Sequence, residues 1–182
     1  LLTIIGLLVT PGVGMAQEAG LVRLASDFKW PGISSLIAYR GRLWFVNSVK
    51  FVNHNSADLY SYDPATGRTR YEKHLFSQDA GDPVVADGLL YWPYEDSRFS
   101  PGHGEFMATN GKGWVWRVIP AGRAFHTHSM TTMATKTGTT LLGATSAWKG
   151  RIVASDDRGE NWRLLYEYPT PDGNVSRFTT LA

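Results

Sequence analysis

From residue 34 onward, apolar residues come in short runs broken by glycine-bearing turns, and almost nowhere at the three- and four-residue spacing of a helix. Runs such as Arg42-Leu43-Trp44-Phe45-Val46 and Gly88-Leu89-Leu90-Tyr91-Trp92 are rich in aromatic and branched residues, which suit a pleated surface and predict strands. The pattern also repeats. A third run, Thr140-Leu141-Leu142-Gly143-Ala144, follows the first two, with starts 46 and 52 residues apart. Each is preceded by an apolar strand and a turn containing glycine.

Each run is followed by a polar connection and a second matching block: Asp58-Leu59-Tyr60-Ser61-Tyr62-Asp63, Glu105-Phe106-Met107-Ala108-Thr109-Asn110 and Arg151-Ile152-Val153-Ala154-Ser155-Asp156-Asp157. Another turn then leads to an aromatic-bearing strand, at Arg70-Tyr71, Trp114-Val115-Trp116 and Trp162-Arg163-Leu164-Leu165-Tyr166. Four strands per unit at a period of about 40 to 50 residues is the signature of propeller blades. The expectation is an all-β chain: a β-propeller of four-stranded antiparallel blades, with three blades and the start of a fourth at 173–182, the chain truncated.

The sharpest turn is Ser155-Asp156-Asp157-Arg158-Gly159-Glu160-Asn161-Trp162. Ser155 and Asp157 can satisfy backbone N–H groups of a tight turn, Gly159 permits positive φ, and Trp162 can pack between sheets. These four positions match the Asp-box, S-x-D-x-G-x-x-W. Ser61-Tyr62-Asp63-Pro64-Ala65-Thr66-Gly67 is a looser version and Asn110-Gly111-Lys112-Gly113 looser still. Residues 34–168 thus resemble Asp-box (BNR-repeat) β-propellers, the architecture of sialidases and many secreted glycan-handling proteins, with kelch-like character at Asp63 to Gly67. In that family the Asp-box is a structural turn remote from the active site. The chain departs from the exo-sialidase pattern in having one full Asp-box and no Arg-Ile-Pro segment.

The start of the chain changes the picture of compartment. Residues 1–13 are apolar and small, and Gly14-Met15-Ala16 then precede Gln17-Glu18. This reads as a signal-peptide core and cleavage site over 1–16, its basic n-region missing, because the run is shorter than the roughly 18 residues a membrane span requires. A lead-in at 17–33 and the partial propeller at 34–182 follow. The expected location is secreted or periplasmic, with no membrane span after cleavage.

Composition excludes more than it assigns. The 182 residues suit one domain, 18 Lys and Arg against 16 Asp and Glu leave a net charge of +2, and the cations are scattered singly. Nucleic-acid binding needs a basic stripe and is excluded as a partner class. With no cysteine there is neither a disulfide framework nor a thiolate metal site.

Candidate chemistry concentrates in the longer connections, 48–57, 74–83, 94–104 and 122–128, which the blade pattern places at one end of the strands. All five histidines, His54, His74, His103, His126 and His128, fall in or beside them. Long loops on one rim of a rigid scaffold are where binding sites are usually built. His126 and His128 share a face by period two. They can hold a divalent metal, act as acid and base, or bond buried carbonyls. With Asp82, at the equivalent entry of the second unit, they are the candidate catalytic group. The candidate substrate-binding residues are His54, Trp92, Tyr94, Glu95, Asp96, Arg98, His103 and Arg123, with Trp92 and Tyr94 as sugar platforms. Metal and cofactor are left open.

Three functional readings follow. The first is a secreted propeller that binds or processes a carbohydrate or small-molecule ligand. The second is a lyase on uronate polymers using His126 or His128. The third is a non-enzymatic scaffold for a protein partner. Fold analogy alone does not rank them.

Overall fold

The computed structural model describes residues 28–48, 56–96, 102–120, 125–136, 138–147, 149–169, 178 and 181. The proposed leader at 1–16, most of the lead-in, and His54, Arg98 and Arg123 lie outside them. The described residues form twelve strands and no helix: β1 (Gly32–Tyr39), β2 (Arg42–Ser48), β3 (Ala57–Asp63), β4 (Arg68–Leu75), β5 (Val84–Ala86), β6 (Leu89–Pro93), β7 (Gly104–Thr109), β8 (Trp114–Ile119), β9 (His126–Thr135), β10 (Gly138–Ser146), β11 (Gly150–Ser155) and β12 (Arg163–Glu167). They make three four-stranded antiparallel sheets, β1-β2-β3-β4, β5-β6-β7-β8 and β9-β10-β11-β12. Each repeated block of the sequence becomes one sheet.

Turn chemistry explains the hairpins. Arg40-Gly41 and Asp87-Gly88 have φ of 49° and 71°, and 49° and 76°. Positive φ at both central residues is what a two-residue hairpin matched to strand twist demands. The three turns after β3, β7 and β11 each use a side-chain acceptor near the strand end. Ala65 N–H donates to Asp63 Oδ1 at 2.9 Å and Lys112 N–H to Asn110 Oδ1 at 3.0 Å. In the third, Asn161 N–H donates to Asp157 Oδ1 at 2.9 Å, Gly159 N–H to Ser155 Oγ at 2.8 Å, and Ser155 Oγ–H to Asp157 Oδ1 at 2.8 Å. Trp162 closes the turn through Nε1–H on the Gly159 carbonyl at 3.1 Å and meets Phe106 edge-on, ring centres 5.7 Å apart. Its ring therefore reaches from the third sheet to the second.

The second sheet lies between the other two. Leu90, Trp92 and Met107 face a core shared with Tyr39, Trp44, Val46 and Leu59 of the first sheet. Tyr91, Phe106 and Ala108 face a core shared with Met130, Leu141 and Val153 of the third. Burial on both faces is why Leu89-Leu90-Tyr91-Trp92 reads as a continuous apolar run rather than an alternation. At one end of the sheets Tyr39 Oη–H ties the first to the second, 2.8 Å from the Gly88 carbonyl and 3.2 Å from that of Thr109.

At the other end, residues 79–82 join all three sheets. Ala80 bridges Tyr94, and Asp82 bridges Ser129 of β9 in parallel sense. Asp82 N–H donates to the His128 carbonyl at 2.9 Å and Met130 N–H to the Asp82 carbonyl at 3.0 Å, while Gly81 N–H donates to the Pro93 carbonyl at 3.1 Å. Toward the first sheet, Ser35 Oγ–H donates to the Ala80 carbonyl at 2.7 Å. Ser35 reaches it from a bulge in β1, with φ of 55°.

Two predictions follow from these contacts. A Cβ at Gly81 would sit 2.0 Å from the His128 carbonyl oxygen, whereas one at Gly113 meets nothing within 4 Å. Gly81→Ala is therefore expected to destabilise by about 1–3 kcal/mol or more, and Gly113→Ala to stay within about 0.5 kcal/mol, in equilibrium urea unfolding. In the Ser155–Trp162 turn, hydrogen bonds from the Asn161 backbone and side chain and from Ser155 hold the Asp157 carboxyl down to about 2. A depressed carboxyl stabilises the fold above its ordinary value near 3.8, and that contribution is lost as pH falls toward 2. Asp157→Ala should lower the melting temperature at neutral pH, the gap to the parent narrowing through the pH 4 to 2 window; a constant gap would show that the charge contributes nothing.

Candidate functional site

The site is built at the sheet end where the long connections begin. Tyr94 extends β6 by one bridge to Ala80, and its N–H donates to the Glu105 carbonyl at 3.0 Å. This extension carries Glu95 and Asp96 past the edge of the second sheet. Across from them, β9 enters with His126, and Thr127 N–H donates to the Tyr94 carbonyl at 2.9 Å. Two backbone connections that alternation would otherwise separate are thus pinned side by side.

His126 Nδ1 lies 2.7 Å from the Glu95 carbonyl oxygen, 3.0 Å from Asp96 Oδ1 and 3.5 Å from Glu95 Oε1. A carbonyl oxygen only accepts, so Nδ1 carries a proton and donates it. That fixes the tautomer of the neutral ring and leaves its Nε2 as the basic nitrogen. The His126 and His128 rings are stacked, 5.4 Å between centres and 20° between planes. His128 Nε2 shares a 2.7 Å hydrogen bond with Ser146 Oγ, a fully buried hydroxyl on β10.

Burial and the neighbouring Asp96 carboxylate push the Glu95 carboxyl up to about 7, against the opposing pull of His126. Its Oε2 is sealed from solvent without a hydrogen-bond partner. Burial alone would lower the His126 imidazole, but the Asp96 hydrogen bond, the Glu95 charge and the Glu95 carbonyl outweigh it and raise the group. The Glu95 carboxyl therefore exchanges its proton near neutrality beside an imidazole that holds its proton more tightly than usual, an arrangement suited to general acid–base chemistry. One ligand atom each from Glu95, Asp96 and His126 falls within 4.8 Å of the others, near enough to share one small cation, and this is the one such group among the described residues. The protonated Nδ1, however, offers no lone pair to a metal. As found, the three residues form a hydrogen-bonded acid–base group.

Several expectations require correction. Trp92 and Tyr94, read as sugar platforms, are interior side chains, 0% and 2% exposed. Tyr94 Oη–H points at Met107 Sδ, 3.6 Å away, rather than at solvent. Neither ring presents a face to a ligand. Asp82 was expected beside His126 and His128. Its backbone is there, but its carboxylate is exposed and outside the Glu95–Asp96–His126 group. His103 is half-buried and also apart from that group, with a sealed Nδ1 lacking a partner. Ser155, Asp157, Gly159 and Trp162 stand at the opposite end of the third sheet: β11 pairs Ser155 with Leu141 but Gly150 with Ser146, the partner of His126.

Asp79 falls in the rim connection 74–83 with no role assigned to it, and Ser77 and Ser146 were not singled out from the sequence, although each contacts the group or its support. For Ser77 and Asp79 the only signal is the density of small polar residues in Ser77-Gln78-Asp79-Ala80-Gly81-Asp82, which any solvated turn would share, and Ser146 carries none. No known family model matches the chain, and no curated protein is similar to it at a significant level.

Both raised groups bind more protons in the folded than in the unfolded chain, so stability falls as pH rises. The loss runs from about 4.5 to about 7 for Glu95 and from 6.5 upward for His126. Melting temperatures measured across pH 4.5–8 should decline in the parent and flatten in a Glu95→Gln/His126→Ala double variant. Parallel curves would refute the assigned proton holdings.

Proposed function

We propose that the three sheets are successive blades of a secreted or periplasmic β-propeller, and that the Glu95–Asp96–His126–His128 rim binds and processes a carbohydrate. Three consecutive meanders of one order support the propeller reading. So do the burial of the middle sheet on both faces, the parallel bridge between the entry of the second sheet and β9, and a last strand, β12, that is largely exposed while β4 and β8 are partly buried. Among the described residues, no helix is long and apolar enough to cross a membrane. The leader-like residues 1–16 support export.

The observation that carries the functional reading is the anchored His126 imidazole: Nδ1–H held by a carbonyl and a carboxylate, Nε2 left to exchange a proton. With no aromatic platform at Trp92 or Tyr94, recognition falls to hydrogen bonds and charge. The carboxyls of Glu95 and Asp96 lie closer than the roughly 5–9.5 Å that separates the two carboxylates of a glycoside hydrolase. They act as one proton-sharing unit, not as flanking acid and nucleophile. This favours the lyase form of processing, in which His126 Nε2 takes the proton alpha to a uronate carboxylate, the C4–O bond breaks as the C4=C5 double bond forms, and the departing sugar oxygen takes a proton from solvent.

The test is binding and turnover on a panel of neutral and uronate oligosaccharides. His126→Ala and Glu95→Gln should each weaken binding about tenfold or more, or abolish turnover, with the fold retained. Asp157→Ala should weaken the fold and leave affinity unchanged. A parent chain that engages no glycan, or variants that bind as well as the parent, would overturn the proposal and leave the protein-scaffold reading.

A further inference from the structure

We propose that Asp79, acting with Ser77, is the positioning residue of the Glu95–Asp96–His126 group. The inference rests on the rim being the functional site, and it assigns a role to a buried acid that does not touch His126.

Asp79 is 9% exposed. Its Oδ1 accepts three hydrogen bonds: from Ser34 Oγ–H of β1 at 2.5 Å, from Ser48 Oγ–H at the end of β2 at 2.9 Å, and from its neighbour Ala80 N–H at 2.9 Å. The carboxylate thus fastens the crossing segment to two strands of the first sheet. The backbone of the same residue faces the site. Its carbonyl accepts Ser77 Oγ–H at 2.5 Å and Glu95 N–H at 3.3 Å. Ser77 Oγ in turn accepts Asp96 N–H at 2.9 Å. The backbone N–H groups of both acids are therefore held by a two-residue clamp, and the clamp is held by one buried carboxylate.

The arrangement is directional. Through Ser34, Ser48 and Asp79 the first sheet sets where Glu95 and Asp96 stand. Distances of 2.7 to 3.5 Å from His126 Nδ1 to three oxygens on two consecutive residues need those residues fixed in both translation and rotation. Tyr94 N–H on the Glu105 carbonyl fixes one side of the Glu95–Asp96 pair. The Ser77–Asp79 clamp fixes the other. A carboxylate buried merely to tie two sheets would need no second set of contacts on its own carbonyl aimed at the rim.

The reporter is the titration of His126, followed by the NMR shift of its ring carbon-bound proton in the full chain. Asp79 is not among the groups that set the His126 proton affinity, whereas Asp96, Glu95 and the Glu95 carbonyl are, with His128 stacked alongside. The Asp79 charge does help raise Glu95, which faces His126, so a change at Asp79 reaches His126 through both charge and position, whereas Ser77→Ala removes no charge and reaches it through position alone. Asp79→Ala and Ser77→Ala should each lower the His126 midpoint by about one unit, a tenfold change in proton affinity. Asp79→Asn keeps an acceptor oxygen for Ser34, Ser48 and Ala80 and removes only the charge, so the clamp predicts a fall in midpoint for Asp79→Ala and Ser77→Ala that Asp79→Asn does not reproduce. If Asp79→Ala does not fold, Ser77→Ala decides, because it removes only the hydroxyl between the Asp79 carbonyl and Asp96.

A folded Ser77→Ala or Asp79→Ala variant with an unmoved His126 midpoint would overturn the proposal and leave Asp79 a purely structural tie. Glycan binding by the parent tests the functional reading separately. A moved midpoint without glycan binding upholds the clamp and defeats the carbohydrate site. An unmoved midpoint with binding intact defeats the clamp alone.

Discussion

The four residues 79–82 are the constraint on which the rest of the structure depends. They lie between the first sheet, reached through Ser34, Ser35 and Ser48, and the third, reached through the His128 and Met130 backbones, while bonding to the end of β6 in the second. A segment wedged against three sheets must satisfy its backbone polar groups within the protein, because an unpaired buried amide or carbonyl costs about as much as a lost hydrogen bond. Small residues meet that demand. Gly81 lets the chain pass against the His128 carbonyl where any side chain would collide. Asp79 carries its own acceptor into a place where two serine hydroxyls need one. The two apolar cores flank this segment; their packing sets stability, but the crossing sets the angle and register at which the sheets meet.

Much of the fold was legible because it is local. Hairpin turns at Arg40-Gly41 and Asp87-Gly88, the period of the apolar runs and the Ser155–Trp162 turn all depend on residues within a few positions of one another. The segregation of short glycine turns from long polar connections fails in the third sheet, where β10 and β11 are joined at the site end by the three residues 147–149. What else failed was any judgement needing a second face. Trp92 beside Glu95 looks the same in sequence whether the ring lies on a rim or inside, and only the stacking of the first sheet on the second decides it. Asp79 was illegible for the same reason. Its partners Ser34 and Ser48 are 45 and 31 residues away, and small polar residues in a turn carry no mark of burial.

The grouping of Glu95 with His126 stood between these cases. Period two placed His126 and His128 on one face, and their stacked rings follow directly. That Glu95 and Asp96 would reach them required knowing that the end of β6 pairs with the entry of β9. The connection is a single backbone hydrogen bond, Thr127 to Tyr94. Sequence supplied both halves of the site and no rule for joining them.

Glu95 and the carboxyls of the Ser155–Trp162 turn, at opposite ends of the sheets, are in opposite electrostatic states. Around the Ser155–Trp162 turn, Asp156, Asp157 and Glu160 are all held below their ordinary range, Asp157 by backbone and side-chain donors, Asp156 by Thr140 and Arg163, and Glu160 by Arg117. Each is charged at little cost and supports the fold near neutrality. Glu95 is raised by burial and by Asp96. Holding it there costs stability at the pH where its neighbours at the other end contribute it. A hydrophobic residue, or a carboxylate turned outward, would avoid that cost in the same backbone. Where a local rule is broken and no packing gain repays it, the site rather than the fold is the better explanation. The clamp from Asp79 and Ser77 strengthens that argument, since it spends a buried carboxylate and three hydroxyls on keeping an unfavourable group in place.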